Sequence, residues 1–187
     1  ALPICGVPSQ DAGLAMTAIK KWQAALIDRL PINPRLMNQF APFTDLNQHC
    51  IYVVNSYIYE QDPNVANYGI TISIQSEMKG KTLDSDIFMF EAEFQKLLNA
   101  APAKLTPEEK GKIEFSKKFR AVLHEVGHLL GLHHQFDGTK SVMDYEMDYD
   151  ELQPYDIEAI HELYPPLENP TLNNIKFRKS SAPVTGP

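Results

Sequence analysis

Residues 124–134 read HEVGHLLGLHH, and their types and spacing could do chemistry. His124 and His128 are four apart. On an α-helix that spacing puts both imidazoles on one face, about one turn apart. Two nitrogens on one face can bind a single cation, and Glu125 lies beside the pair. Gly131 tolerates φ > 0, so it can stop the helix and turn the chain. His134 can then swing back as a third ligand. Three neutral imidazoles at about 2.0–2.1 Å leave one tetrahedral position of Zn²⁺ open. Water there has its pKa lowered to about 7. A neighbouring carboxylate, Glu125, can accept its proton and pass it to a leaving amine.

Two blander readings compete with this one. Five fixed positions arise by chance about once in 10⁵ chains of this size at average composition, so ordinary helix residues are a poor account. A structural zinc site is usually closed by a fourth protein ligand, often Cys. Cys5 and Cys50 are both far from the motif in sequence. The pattern therefore predicts a catalytic zinc site, with His124, His128 and His134 as ligands and Glu125 as base.

The rest of the chain must position those groups. With 187 residues and 43% hydrophobic content, one domain with a substantial core is expected. The net charge of −7 and pI near 5.3 argue against a nucleic-acid or anionic-membrane partner. No apolar run approaches the length of a membrane span. The start, ALPICG, has neither a basic end nor a long apolar stretch, so no signal peptide is expected in this chain, which is read as a mature or a trimmed form. Cys5 and Cys50 suggest one disulfide in an oxidising compartment. It would close a loop of about 46 residues and stabilise by about 4 kcal/mol in the chain-entropy model. Two free thiols are the alternative.

Residues 9–30 read as a first helix, capped by Ser9 or Asp11 and ended by Pro31. Ala15, Ala18, Ile19, Trp22, Leu26 and Leu30 form its apolar stripe, and Trp22 is read as core. Residues 31–48 look like loop. Residues 50–57, 68–74 and 85–90 read as strands, the second alternating Ile70, Ile72, Ile74 against Thr71, Ser73. EAEFQKLLNA continues into a short helix. Thr106 and Glu109 form a capping-box pattern and Pro107 suits the first helical position. Phe115, Phe119, Val122, Val126 and Leu129 then mark a core-facing stripe, with His124 and His128 on another face. Pro154 opens a last helix. Residues 166–187 form a Pro-rich tail.

The chain resembles the metzincin zinc endopeptidases, most closely their matrixin and serralysin branches. HEVGHLLGLHH carries the resemblance. SVMDY (141–145) looks like the Met-turn, LQPYDIEAIHELYP is similar to the last helix, and Asp137 sits where matrixins carry an Asp. The resemblance implies an α+β catalytic domain over residues 1–165. An upper subdomain to about 131 holds a twisted, mostly parallel sheet, the first helix and the active-site helix. A lower subdomain, 132–165, holds the Met-turn and last helix. YGITISI corresponds to the antiparallel edge strand above the cleft. An extended polypeptide would add to it along Tyr68, Gly69, Ile70 and Thr71. The main specificity pocket would be walled by the active-site helix and the segment after Met143. Met143 would floor the metal. Tyr145, two residues on, stands where astacins and serralysins carry a zinc-binding tyrosine; it is expected to donate to the oxyanion, against a packing role.

Several departures matter. His133 competes with His134 as third ligand, and the motif spacing selects His134. The family's first strand before the first helix is not apparent; it is lost or replaced by a segment such as NNIKFR. The histidines of a structural zinc are absent, His49 and His161 being isolated. The acidic run with Asp144, Asp148 and Asp150 is read as a solvated loop, with Ca²⁺ as the alternative. PICGVPS resembles the cysteine-switch, but Ile4 and Ser9 replace its Arg and Asp, so the disulfide is preferred to latency through Cys5. The expectation is a secreted, extracellular or periplasmic, monomeric zinc endopeptidase. A zinc-bearing binding module and an exopeptidase are the competing readings.

Overall fold

The computed structural model describes residues 2–6, 12–36, 49–54, 68–75, 82–145 and 149–167. The elements run β1 (Leu2–Gly6), α1 (Ala12–Ala25), β2 (Ile32–Leu36), β3 (Cys50–Val54), β4 (Gly69–Gln75), β5 (Thr82–Phe90), α2 (Glu91–Ala100), α3 (Pro107–Leu129) and α4 (Pro154–Leu163). The five strands form one sheet of order β2-β1-β3-β5-β4. All pairs are parallel except β4 with β5. This is the α+β, mostly parallel sheet with an antiparallel edge strand that the resemblance implies.

Two strands escape the sequence reading. β1 does precede the first helix, so the family's first strand is present rather than lost. β2 occupies the start of a stretch read as loop. Prolines hide both. Pro34 lies in β2, an edge strand, where a missing N–H is tolerated. Pro3 lies in β1 where pairing runs to β2 alone, since β3 joins only at Cys5 and Gly6. The first helix is also shorter than residues 9–30. It ends at Ala25 and a turn follows, in which Leu30 N donates to Leu26 O. Ser9 and Asp11, residues 55–57 and Asp148 lie outside the described residues, as do residues 168–187 with the tail and NNIKFR.

The core forms where α1 meets α3 beneath the sheet. Ala15, Ala18, Ile19, Trp22 and Leu26 are buried, as are Phe119, Val122, Val126 and Leu129. Trp22 is the core residue expected, and its Nε1 donates to Leu123 O at 2.9 Å. That bond satisfies the one polar atom of the ring. Phe115 does not join the core: it is 60% exposed and stacks on Phe119 instead. Helical periodicity assigns a face; how much of that face is covered depends on the neighbours.

α3 begins where the capping box predicts. Glu109 N donates to Thr106 Oγ1, and Thr106 N donates to Glu109 Oε2. At its other end Leu130 caps the helix and Gly131 takes φ +99, a conformation that favours glycine. α4 is tied to the end of α1: Arg29 donates to the carbonyls of His161 and Tyr164, and His161 Nε2 bonds Ala25 O. His161 and the buried His49, whose Nδ1 accepts from Ser85 N, therefore have structural partners. No helix among the described residues is long and apolar enough to cross a membrane.

Candidate metal centre

α3 delivers His124, Glu125 and His128, and the turn at Gly131 brings His134 back against them. The three Nε2 atoms lie 3.1, 3.1 and 3.2 Å apart. Among the described residues this is the His/Cys/Asp/Glu group whose ligand atoms converge. His133, the rival third ligand, is exposed and outside that group.

The donor chemistry fits a cation. His124 Nδ1 faces Val142 O at 2.7 Å and His128 Nδ1 faces Leu132 O at 2.8 Å. A carbonyl only accepts, so each Nδ1 carries the proton and each Nε2 presents a bare lone pair. Two bare lone pairs 3.1 Å apart repel unless a positive ion lies between them. Tetrahedral Zn²⁺ with nitrogens at 2.0–2.1 Å would space them by about 3.3 Å. Burial lowers the pKa of all three imidazoles, that of His124 to about 3, with neighbouring histidines adding to the effect. The rings are thus held neutral, the form that ligates.

Val142 O is aimed by a network reaching from α4. Asp156, fully buried in the first turn of α4, accepts from Ser141 Oγ at 2.5 Å, Val142 N at 3.1 Å and Gln153 N at 2.7 Å. Ser141 Oγ in turn accepts from Met143 N at 2.9 Å. The Met-turn is therefore clamped at three successive residues. Met143 is 1% exposed and packs under α3 at Gly127.

Glu125 is 6% exposed, and burial pushes its carboxyl up to about 7, against a hydrogen bond that lowers it. That bond comes from Thr71 Oγ1, 2.7 Å from Glu125 Oε2. Of the strand residues expected to meet substrate, Gly69 and Thr71 lie against Glu125. Ile70 packs on the Cys50, Tyr52, Phe88, Phe90 cluster. Tyr68 stacks near Phe94, and its carbonyl accepts from Phe90 N. β4 is the edge of the sheet, with Ile72 and Ile74 exposed.

Tyr145 is 57% exposed, and its ring lies 4.4 Å from that of His134 at 34°. Phe136, unremarked in the sequence, lies 5.7 Å from each of these rings, at 58° to His134 and 28° to Tyr145. A cavity of about 320 Å³ opens behind His134, lined by Leu132, Met143, Tyr155, Ala159 and Leu163 among others. The wall expected after Met143 includes residues 146–148, which are outside the described residues. Of the acidic run, Asp144 is half-buried and Asp150 exposed.

Sequence reasoning named Thr71 for the substrate strand but not for its contact with Glu125, and it missed Asp156 altogether. The alternation in β4 already put Thr71 on the face opposite the isoleucines. Asp156, three residues after Gln153 at the start of a helix, carried the signal of an N-terminal acceptor.

An edge strand over a helix that bears two imidazoles and a buried carboxylate, with a third imidazole turned back onto them, is the arrangement of a metzincin-type metallopeptidase. The sequence profile of the matrixin family matches residues 69–165, about half of the chain, and the chain belongs to that family. Its catalytic members are zinc metalloproteases, and the histidine triad can hold such an ion. No curated protein matches the chain significantly.

Proposed function

We propose that this matrixin is a zinc-dependent endopeptidase in which water attacks the peptide bond and Glu125 is the general base. The observation that carries this reading is the convergence of three Nε2 atoms, two of them on the helix that also carries the buried Glu125 carboxylate. Zinc, when bound, supplies a Lewis acid that acidifies water and polarises the scissile carbonyl. Glu125 accepts the proton of the attacking water and returns it to the leaving amine. The free edge of β4 takes an extended polypeptide by main-chain hydrogen bonds. Residues 68–75 carry no charged side chain to capture a chain terminus, which favours internal bonds. The Tyr145 hydroxyl, on a ring packed against His134, donates to the developing oxyanion. Met143 floors the metal.

The same reading places the protein in an oxidising compartment, secreted or periplasmic, with a Cys5–Cys50 disulfide. The two cysteines are paired in the β1–β3 register. Neighbouring strands put opposed Cα atoms about 5 Å apart, within the span of a disulfide. Intact mass before and after reduction and alkylation tests it; alkylation without reductant overturns it.

The decisive experiment is Glu125→Ala. The variant should bind zinc as the parent does and lose nearly all cleavage of a peptide library, whose products should mark internal bonds. Turnover retained in Glu125→Ala refutes the assigned base. Products trimmed only from the ends refute the endopeptidase.

A further inference from the structure

Thr71 does more than line an edge strand. Residues alternate faces along β4, so Gly69 and Thr71 look the same way, and both meet Glu125. At Gly69 an added Cβ would lie 3.1 Å from Glu125 Cγ and 3.3 Å from Oε1, so the carboxylate side chain passes over bare backbone. One position further on the same face, Thr71 Oγ1 lies 2.7 Å from Glu125 Oε2 and 3.0 Å from the Glu125 carbonyl oxygen.

From this geometry we infer that Thr71 is a positioning residue for the general base; the inference rests on reading Glu125 as that base. A hydroxyl has one proton, and both neighbours accept. The shorter contact, to the carboxylate, is the stronger, because hydrogen bonds to an ionised acceptor are about twice as strong as neutral ones. Donation to Oε2 holds the carboxylate plane and leaves Oε1 to handle the proton of the attacking water. The carbonyl at 3.0 Å gives the hydroxyl a second acceptor once the carboxyl carries that proton. Since β4 is the strand that substrate extends, the same bond couples a seated substrate to the orientation of the base. An ordinary strand threonine would satisfy its hydroxyl with water or a local carbonyl. This one reaches across 54 positions of sequence to a buried carboxylate.

The test uses Thr71→Val, which keeps the shape, and Thr71→Ser, which keeps the hydroxyl. For the zinc-loaded enzyme, Thr71→Val should lower kcat by about tenfold or more and move KM by less than about threefold. Thr71→Ser should recover most of that loss. Equal losses in both variants, or a loss in KM alone, overturn the proposal, because packing or strand addition then accounts for Thr71. A second readout needs no turnover. In the metal-free protein, Thr71→Val should shift the urea midpoint clearly more in the parent background than in Glu125→Ala, where only the carbonyl contact remains to be lost. Equal shifts in the two backgrounds overturn the contact. If the parent cleaves nothing while this coupling holds, the endopeptidase reading fails and the contact stands.

Discussion

Replacing Gly127 by Ala tests whether the Met-turn really sets the metal site. A Cβ built at Gly127 would lie 2.3 Å from Met143 Sδ, 3.2 Å from Met143 Cε and 3.1 Å from Trp22 Cζ2. A relaxed carbon–sulfur contact is longer by more than 1 Å. Trp22 cannot yield, being fully buried and held by its bond to Leu123 O. Met143 is 1% exposed and its backbone is clamped through Ser141 to Asp156. Relief must come from an off-rotamer Met143 or from the Met-turn drawing away from α3. Overpacking of this kind costs about 1–3 kcal/mol. Alanine in a helix interior returns about 1 kcal/mol over glycine. The expected net destabilisation of the metal-free protein is therefore about 0–2 kcal/mol. The larger effect is on zinc. Moving the Met-turn moves Val142 O, the acceptor for His124 Nδ1, and loss of such a partner typically costs 10–100-fold in metal affinity. Urea unfolding and a competitive chelator titration give the two numbers. Gly111→Ala is the control: it is on the same helix with nothing within 4 Å, so it should stabilise by up to about 1 kcal/mol and leave zinc binding alone. If Gly127→Ala also stabilised and kept the parent zinc affinity, the wedge between α3 and the Met-turn would be refuted.

Asp156→Ala leaves Ser141 Oγ, Val142 N and Gln153 N without their buried acceptor, and should cost about 3 kcal/mol or more in urea unfolding, with weakened zinc binding. A loss below about 1 kcal/mol would show that water replaces the carboxylate. Acid should destabilise the metal-free protein. The lowered imidazole pKa values mean that the unfolded chain takes up protons first, so stability present above about pH 6.5 is lost as pH falls toward the folded value, about 3 for His124. Glu125 works the other way: its carboxyl is raised to about 7, so its protonated form favours folding and that stability is lost as pH rises from 4.5 through 7. Glu125→Gln should accordingly stabilise the metal-free protein above pH 7, by up to about 3 kcal/mol, and steepen its acid loss. Unchanged stability at pH 8 would show that Glu125 is better solvated than its burial indicates.

The legible parts of the site were those encoded by short-range geometry. Four-residue spacing puts His124 and His128 on one face of any helix, the glycine at 131 permits its φ of +99, and Thr106 with Glu109 marks where that helix starts. β1 and β2 were illegible because prolines suppress the strand signal, and only their places in the sheet make those prolines tolerable. Phe115 satisfied the same periodicity as Phe119 and is exposed nonetheless.

By itself the sequence determined the donor set, its ring spacing on α3 and the chemistry such donors allow, because these follow from residue type and helical pitch. Only the tertiary structure decided which nitrogen of His124 is bare, what holds the Glu125 carboxylate and what ties down the segment around Met143. Those answers depend on Val142 O, Thr71 and Asp156, which lie 14 to 54 positions from His124, Glu125 and the Ser141–Val142 segment that they touch. Contacts across such separations are set by the packing of whole elements, which leaves no periodic trace in the residues that make them.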